Sequence, residues 1–173
     1  MVGLFAGVWC FTVVERLFEL RLSFKNAAWS KAQGGLEFGQ GHYPTMVVLH
    51  TLFLCGMPLE VWLLARSAPA PLVFSALVVA ILSQGLRWWA IRTLGPRWNT
   101  RVIIVPNLPA VTGGPYRWFR HPNYVAVVAE GVFLPLVGGA WVSALVFTLL
   151  NAMLLRVRIR CENEALDSLP VSS

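Results

Sequence analysis

The sequence predicts an all-α integral membrane protein, a bundle of about five transmembrane helices. Three observations predict it. Of the 173 residues, 57% are hydrophobic and only 13% charged, where a soluble domain carries about 25% charge. So few polar groups cannot cover a water-facing surface, which excludes a soluble enzyme. Mean hydropathy is +0.64, and apolar runs of the roughly 20 residues that cross a hydrocarbon core recur along the chain. The 14 Lys and Arg against 8 Asp and Glu gather between those runs, as basic loops do on one face of a membrane. The net charge of +6 therefore calls for no nucleic-acid partner. The length suits a single transmembrane domain over 1–173. Cys10, Cys55 and Cys161 are scattered and lack any Cys-x-x-Cys spacing, so neither a disulfide framework nor a metal site is expected.

The first span, about 1–22, ends with Glu15, Arg16 and Glu19, which read as a local ion pair at a snorkelling helix end. It has no basic leader, so it reads as an anchor rather than a cleaved signal. The second span, about 43–65, holds His50 and Glu60, read as structural contacts between helices. The third, about 71–94, carries Arg87 and Arg92 near its end. The stretch from Arg101 to Pro115 is apolar, but Pro106, Pro109, Gly113, Gly114 and Pro115 forbid a regular helix, so an ordered loop over about 95–120, packed at the membrane face, is expected. From His121 to Leu155 the one charged residue is Glu130. A single helix of that length would run about 50 Å, too long to cross once. Pro135, Gly138 and Gly139 offer a turn, which splits the stretch into spans of about 122–137 and 140–157 with an amphipathic tail over 158–173.

Charge placement tests the count. Arg21, Lys25 and Lys31 follow the first span; Arg97, Arg101, Arg117 and Arg120 follow the third; Arg156, Arg158 and Arg160 follow the fifth. Only Arg66 lies between the second and third. Five spans with the N-terminus outside and the C-terminus cytosolic put nearly every basic residue on one side.

Polar residues collect at the cytosolic ends of the last three spans. Pro122 suits the first turn of a helix. His121 then lies just before the positive end of that helix, where an anion binds readily. Tyr116 and Tyr124 offer aromatic faces to an adenine or a cation. Arg158 and Glu162, four apart, share a helical face, and the short turn before the fifth span lets that face point back at His121. A cavity at the membrane–cytosol boundary is expected there. Glu130 lies mid-span, where a carboxyl marks function by default; a protonated carboxyl bonded to a neighbouring helix is the structural alternative. His42 reads first as an interfacial histidine and second as a catalytic one. Trp88, Trp89, Trp98 and Trp118 read as an interfacial belt, and Arg97, Arg117 and Arg120 as headgroup contacts. Arg101 is placed where it can touch a cofactor.

The stretch Gly114-Pro-Tyr-Arg-Trp-Phe-Arg-His-Pro-Asn-Tyr124, followed by Arg158-x-x-x-Glu162, resembles the isoprenylcysteine carboxyl methyltransferase family. The likeness to the family core covers about 95–167. Glu15-Arg-Leu-Phe-Glu-Leu-Arg21, Gly34-Gly35 and Gly41-His-Tyr-Pro44 resemble a bacterial branch that accompanies type III polyketide synthases and methylates alkylpyrones or alkylresorcinols. Two positions depart from the family pattern: Ala126 stands where Gly is frequent, and Asn163 where a second acid often follows the first.

The resemblance implies an enzyme of the bacterial cytoplasmic membrane, its active site facing the cytosol, that uses S-adenosylmethionine. It implies that Leu108, Pro109, Ala110 and Val111 line the cofactor and that Tyr116 packs on it. His121, Pro122, Asn123 and Tyr124 hold it at the helix start, Glu162 binds a polar group of it, and Arg158 faces the reacting oxygen of the acceptor. Methyl transfer from a sulfonium needs positioning more than covalent help. A carboxylate acceptor needs no base, whereas a phenol, of pKa near 10, gains from a cation and a proton acceptor. Arg158 supplies the cation, and His121, His42 or Glu130 the proton acceptor. The leading expectation is O-methylation of a lipophilic phenol or enol drawn from the bilayer. Carboxyl methylation of an isoprenylcysteine-like compound, N-methylation of a phospholipid and, outside enzymes, a small membrane transporter or scaffold are the alternatives.

Overall fold

The computed structural model describes residues 2–65, 68–106 and 108–167. Arg66 lies outside them, as does the end of the expected tail. Among the described residues are five α-helices, a two-stranded ribbon and three short 3-10 turns; the helices and strands are α1 (Val2–Ala32), β1 (Leu36–Phe38), α2 (Tyr43–Leu64), α3 (Ala70–Leu94), β2 (Val102–Ile104), α4 (Pro122–Val137) and α5 (Trp141–Asp167). The architecture is the expected all-α membrane bundle. Gln40–Leu64, Ala70–Arg97 and Trp141–Asp167 are long and apolar enough to cross a bilayer. The apolar α4 has 16 residues, and α1 carries several charges along its length.

Two departures matter for the site. The first concerns α1, which runs 31 residues, well past the expected end near residue 22. Past Gly7, no Pro or Gly occurs before Gly34, where a positive φ of 77° turns the chain. The extension buries Ser23, Asn26 and Ser30. Asn26 donates to the carbonyls of Gly95 (3.2 Å) and Trp98 (2.8 Å), and the Thr100 amide donates to Ser23 (3.0 Å). The far end of α1 is thus a polar seam that holds the loop after α3.

The second is inside that loop. The β-branched run Val102-Ile-Ile104 pairs antiparallel with β1, Leu36 opposite Ile104 and Phe38 opposite Val102. Trp98, expected in an interfacial belt, is 2% exposed, while Trp118 is 66% exposed and meets Trp89 edge-on.

At the opposite end, Phe5, Met57, Val61, Val73, Leu134 and Val137 form the apolar core. The α4–α5 turn closes onto it: a Cβ at Gly138 would lie 2.6 Å from Phe5 Cδ2 and 2.8 Å from Val61 Cγ2. Glu60 accepts from the amides of Val142 (2.9 Å) and Ser143 (2.7 Å), which satisfies the free N–H groups at the start of α5. It is the interhelical contact that its place in the second span suggested. Small residues let α3 and α4 approach closely: Ala76, Ala90 and Ala126 are fully buried. Alanine at 126 is small enough for that approach.

Candidate active site

The turn Gly114–Arg117 leads into α4. Gly114 has φ +56°, and any Cβ there would run into the Thr93 side chain, so glycine is required twice over. Arg97 donates to the Pro109 carbonyl at 2.6 Å and so pins the loop. The amides of Tyr124 (3.0 Å) and Val125 (3.3 Å) close on the His121 carbonyl, and Pro122 occupies the first turn.

This start of α4 meets the foot of α5. The buried Tyr124 hydroxyl donates to Glu162 and accepts from Arg158 Nε at 2.8 Å. His121 Nδ1 lies 3.7 Å from Glu162, and its Nε2 lies 3.2 Å from Asn163 Oδ1. The rings of His121 and Tyr124 stack, centroids 5.2 Å apart. Asn163, where an acid would be usual, is bound to this histidine. Burial and the nearby Glu162 carboxylate push the Tyr116 hydroxyl well above its ordinary pKa. His121, Tyr124, Arg158 and Glu162 are therefore one connected cluster, with the Arg158 and Glu162 face of α5 pointing back at His121. Pro122 and Asn123 adjoin it, and Asn123 Oδ1 is buried without a hydrogen-bond partner. Leu108, Pro109 and Ala110 are exposed and Val111 half-buried, on the loop that Arg97 holds.

Arg158, 6% exposed, is the hub. It also donates to the Thr100 carbonyl at 2.6 Å and to Met46 Sδ, so three segments, in α2, α4 and the loop before β2, converge on one guanidinium of α5. On the other side of Tyr124 and Arg158 lies a cavity of about 160 Å³. Its lining includes Asn123, Tyr124 and Arg158 at one end and Arg16, Glu19 and Arg87 at the other. Leu20 of α1 and Val47 and Thr51 of α2 also line it and are exposed on the outer surface, so it opens sideways between those two helices.

The charges on α1 are not a snorkelling end. Arg87 of α3 holds both oxygens of buried Glu19, at 2.8 and 2.9 Å. Arg16 reaches Glu19 at 3.0 Å and Gln84 at 2.9 Å, and Trp88 donates to Glu15 at 2.7 Å. Glu130 lies 3.6 Å from both Arg16 and Arg87, on a second cavity of about 40 Å³. The spacing explains this: Glu15 and Glu19 share a face of α1, and a buried acid is tolerated when paired. Opposite charges in three separate apolar stretches, now α1, α3 and α4, were the sequence signal for this network. His42 lines neither cavity; a Cβ at Gly39 would touch both it and Cys161. His50 lines both and was missed as a site residue, because one histidine in an apolar run reads as a helix contact. Arg101 is tied to Glu37 at 2.7 Å and covers the Tyr43 ring, away from the cluster. Although burial opposes it, Arg101 and then Lys31 hold the Glu37 carboxyl below its ordinary range.

The profile of the isoprenylcysteine carboxyl methyltransferase family matches residues 76–168. The chain belongs to this family. Its members are methyltransferases, and the apolar helices place this methyltransferase in a membrane. The uncharacterized protein YpbQ of Bacillus subtilis is 38% identical over 159 residues, covering 92% of this chain and 94% of its own. An uncharacterized protein of Haemophilus influenzae is 24% identical over 157 residues, covering 89% and 90%. No solved structure matches with significance. The stretch that marks the methyltransferase family contains Tyr116, His121, Tyr124, Arg158 and Glu162; α1 and α2, which supply Arg16, Glu19 and His50 to the cavity, lie before it.

Proposed function

We propose that the chain is an S-adenosylmethionine-dependent O-methyltransferase whose acceptor is a lipophilic phenol or enol such as an alkylresorcinol or alkylpyrone. One observation carries the reading: Arg158 is shared between the Tyr124–Glu162 cluster and the wall of the side-opening cavity. A cation there faces the methyl-donor side and the acceptor side at once.

The residues fit the cofactor. Asn123 Oδ1 is a buried acceptor that needs a donor, Glu162 is a carboxylate that accepts from hydroxyl or amino groups, and Tyr116 gives a half-buried aromatic face. Leu108, Pro109, Ala110, Val111, Tyr116, His121, Pro122, Asn123, Tyr124 and Glu162 would hold it. When bound it supplies a methyl group on a positively charged sulfur. Tyr124 and Glu162, locked by α4 and α5, orient the donor side. Arg158 stabilises the negative charge of an acceptor oxygen, and the apolar walls exclude water, which strengthens that attraction. A ring-sized head fits, since an apolar cavity of about 150 Å³ takes up benzene, and an alkyl tail can pass out between α1 and α2.

The basic loops support a cytosolic site and a cytosolic C-terminus in the bacterial membrane. The polyketide-like acceptor supports a functional link to a type III polyketide synthase. Membranes containing the chain are incubated with methyl-labelled cofactor and either an alkylresorcinol or a prenylcysteine. Label is expected in the alkylresorcinol; label confined to the prenylcysteine selects carboxyl methylation, and label in neither removes the phenol reading.

A further inference from the structure

We infer that His50 is the general base that removes the hydroxyl proton of the acceptor. The inference rests on the phenol or enol reading above and adds the residue that reading lacks.

Geometry carries it. His50 lines both cavities, at the point where they adjoin. Its Nδ1 lies 2.9 Å from the Met46 carbonyl. A carbonyl only accepts, so Nδ1 bears the hydrogen and Nε2 keeps its lone pair. The ring stands edge-on to Phe147, centroids 5.2 Å apart, and Phe147 stacks on Phe53 at 3.9 Å, so the imidazole cannot swing freely. Met46 serves two groups: its carbonyl sets the tautomer of His50, and its sulfur accepts from Arg158. The cation that would stabilise the oxygen and the base that would deprotonate it are thus anchored on one turn of α2.

The other candidates are engaged elsewhere. His121 is bound to Asn163 and faces Glu162, Glu130 sits between two guanidiniums, and His42 lines neither cavity. The charged or titratable groups that share the two cavities with His50 are Arg16 and Glu19 of α1, Tyr43 of α2, Arg87 of α3, Tyr124 and Glu130 of α4, and Arg158 of α5.

The step balances. The acceptor O–H breaks and its proton goes to Nε2. The oxygen bonds the methyl carbon while the carbon–sulfur bond breaks, its electron pair staying on sulfur. An ether and a neutral thioether result, and the imidazolium returns its proton to water when the product leaves.

The test compares an alkylphenol with a nitro-substituted alkylphenol that is already ionised at the assay pH. In His50→Gln, turnover of the alkylphenol is expected to fall by about 100-fold or more, while the nitro analogue keeps wild-type turnover and cofactor affinity. Equal losses on both acceptors would overturn the assignment. A second measurement needs no variant. In heavy water, wild-type turnover of the alkylphenol should slow, because its proton is in flight during transfer, while turnover of the ionised nitro analogue should not. An equal solvent isotope effect on both acceptors overturns it too. If neither acceptor is methylated by the wild type, the O-methyltransferase reading fails and takes this inference with it.

Discussion

The Tyr124 hydroxyl sits between Arg158 and Glu162, giving one phenol two charged partners. Such charge-assisted bonds are worth about 1.5–3 kcal/mol each. His121→Ala and Glu162→Ala are therefore expected to weaken S-adenosylmethionine binding by about tenfold or more, read by calorimetry; two unchanged isotherms would remove the cofactor site. Arg158→Ala should act differently. Loss of a cation aimed at a developing negative charge lowers kcat by about 100-fold or more, with cofactor affinity changed less. If affinity alone falls, the guanidinium serves the donor side. At this scale the Tyr124–Glu162 cluster was legible, because Arg-His-Pro-x-Tyr and Arg-x-x-x-Glu are local patterns whose meaning survives without coordinates. His50 was not. What distinguishes it is the space beside it, and a cavity has no sequence signature.

Among the elements, α5 depends on its neighbour. Glu60 of α2 satisfies the first amides of α5 across the bundle, so Glu60→Ala is expected to cost about 1 kcal/mol, seen as a lower unfolding temperature in detergent. Gly114→Ala should cost about 1–2 kcal/mol from the left-handed backbone alone, and more from the collision with Thr93; full stability would show that the turn before α4 rearranges freely. The five helices were readable from hydropathy and from Pro135, Gly138 and Gly139. Their ends were less so. Past residue 22, α1 trades lipid for the polar loop partners of Ser23 and Asn26, and a helix does not stop where the bilayer does. The ribbon escaped notice because two strands of three residues carry no period to detect.

For the molecule as a whole, the basic loops predict a cytosolic C-terminus, which a C-terminal reporter active only in the cytosol checks. The ribbon adds a pH dependence. A carboxyl held below its ordinary pKa stabilises the fold above about pH 4.3 and loses that contribution as pH falls through the lowered value. The Glu37–Arg101 tie is partly exposed, so its worth is below about 1 kcal/mol. Glu37→Gln should melt below wild type near pH 6, and the gap should close toward about pH 3; a gap that widens in acid would reverse the assignment. The sideways mouth between α1 and α2 has one more consequence. Under the proposed O-methylation, capping an oxygen with carbon would remove the hydrogen-bond donor that tied the head to water, so the product would be oilier than what came in. Its downhill route would be out through the same mouth into the acyl chains, while the proposed cofactor's nucleoside would depart on the aqueous side. Separate exits would leave neither product waiting on the other, and accumulation in the bilayer, rather than in the medium, would become the natural brake on turnover.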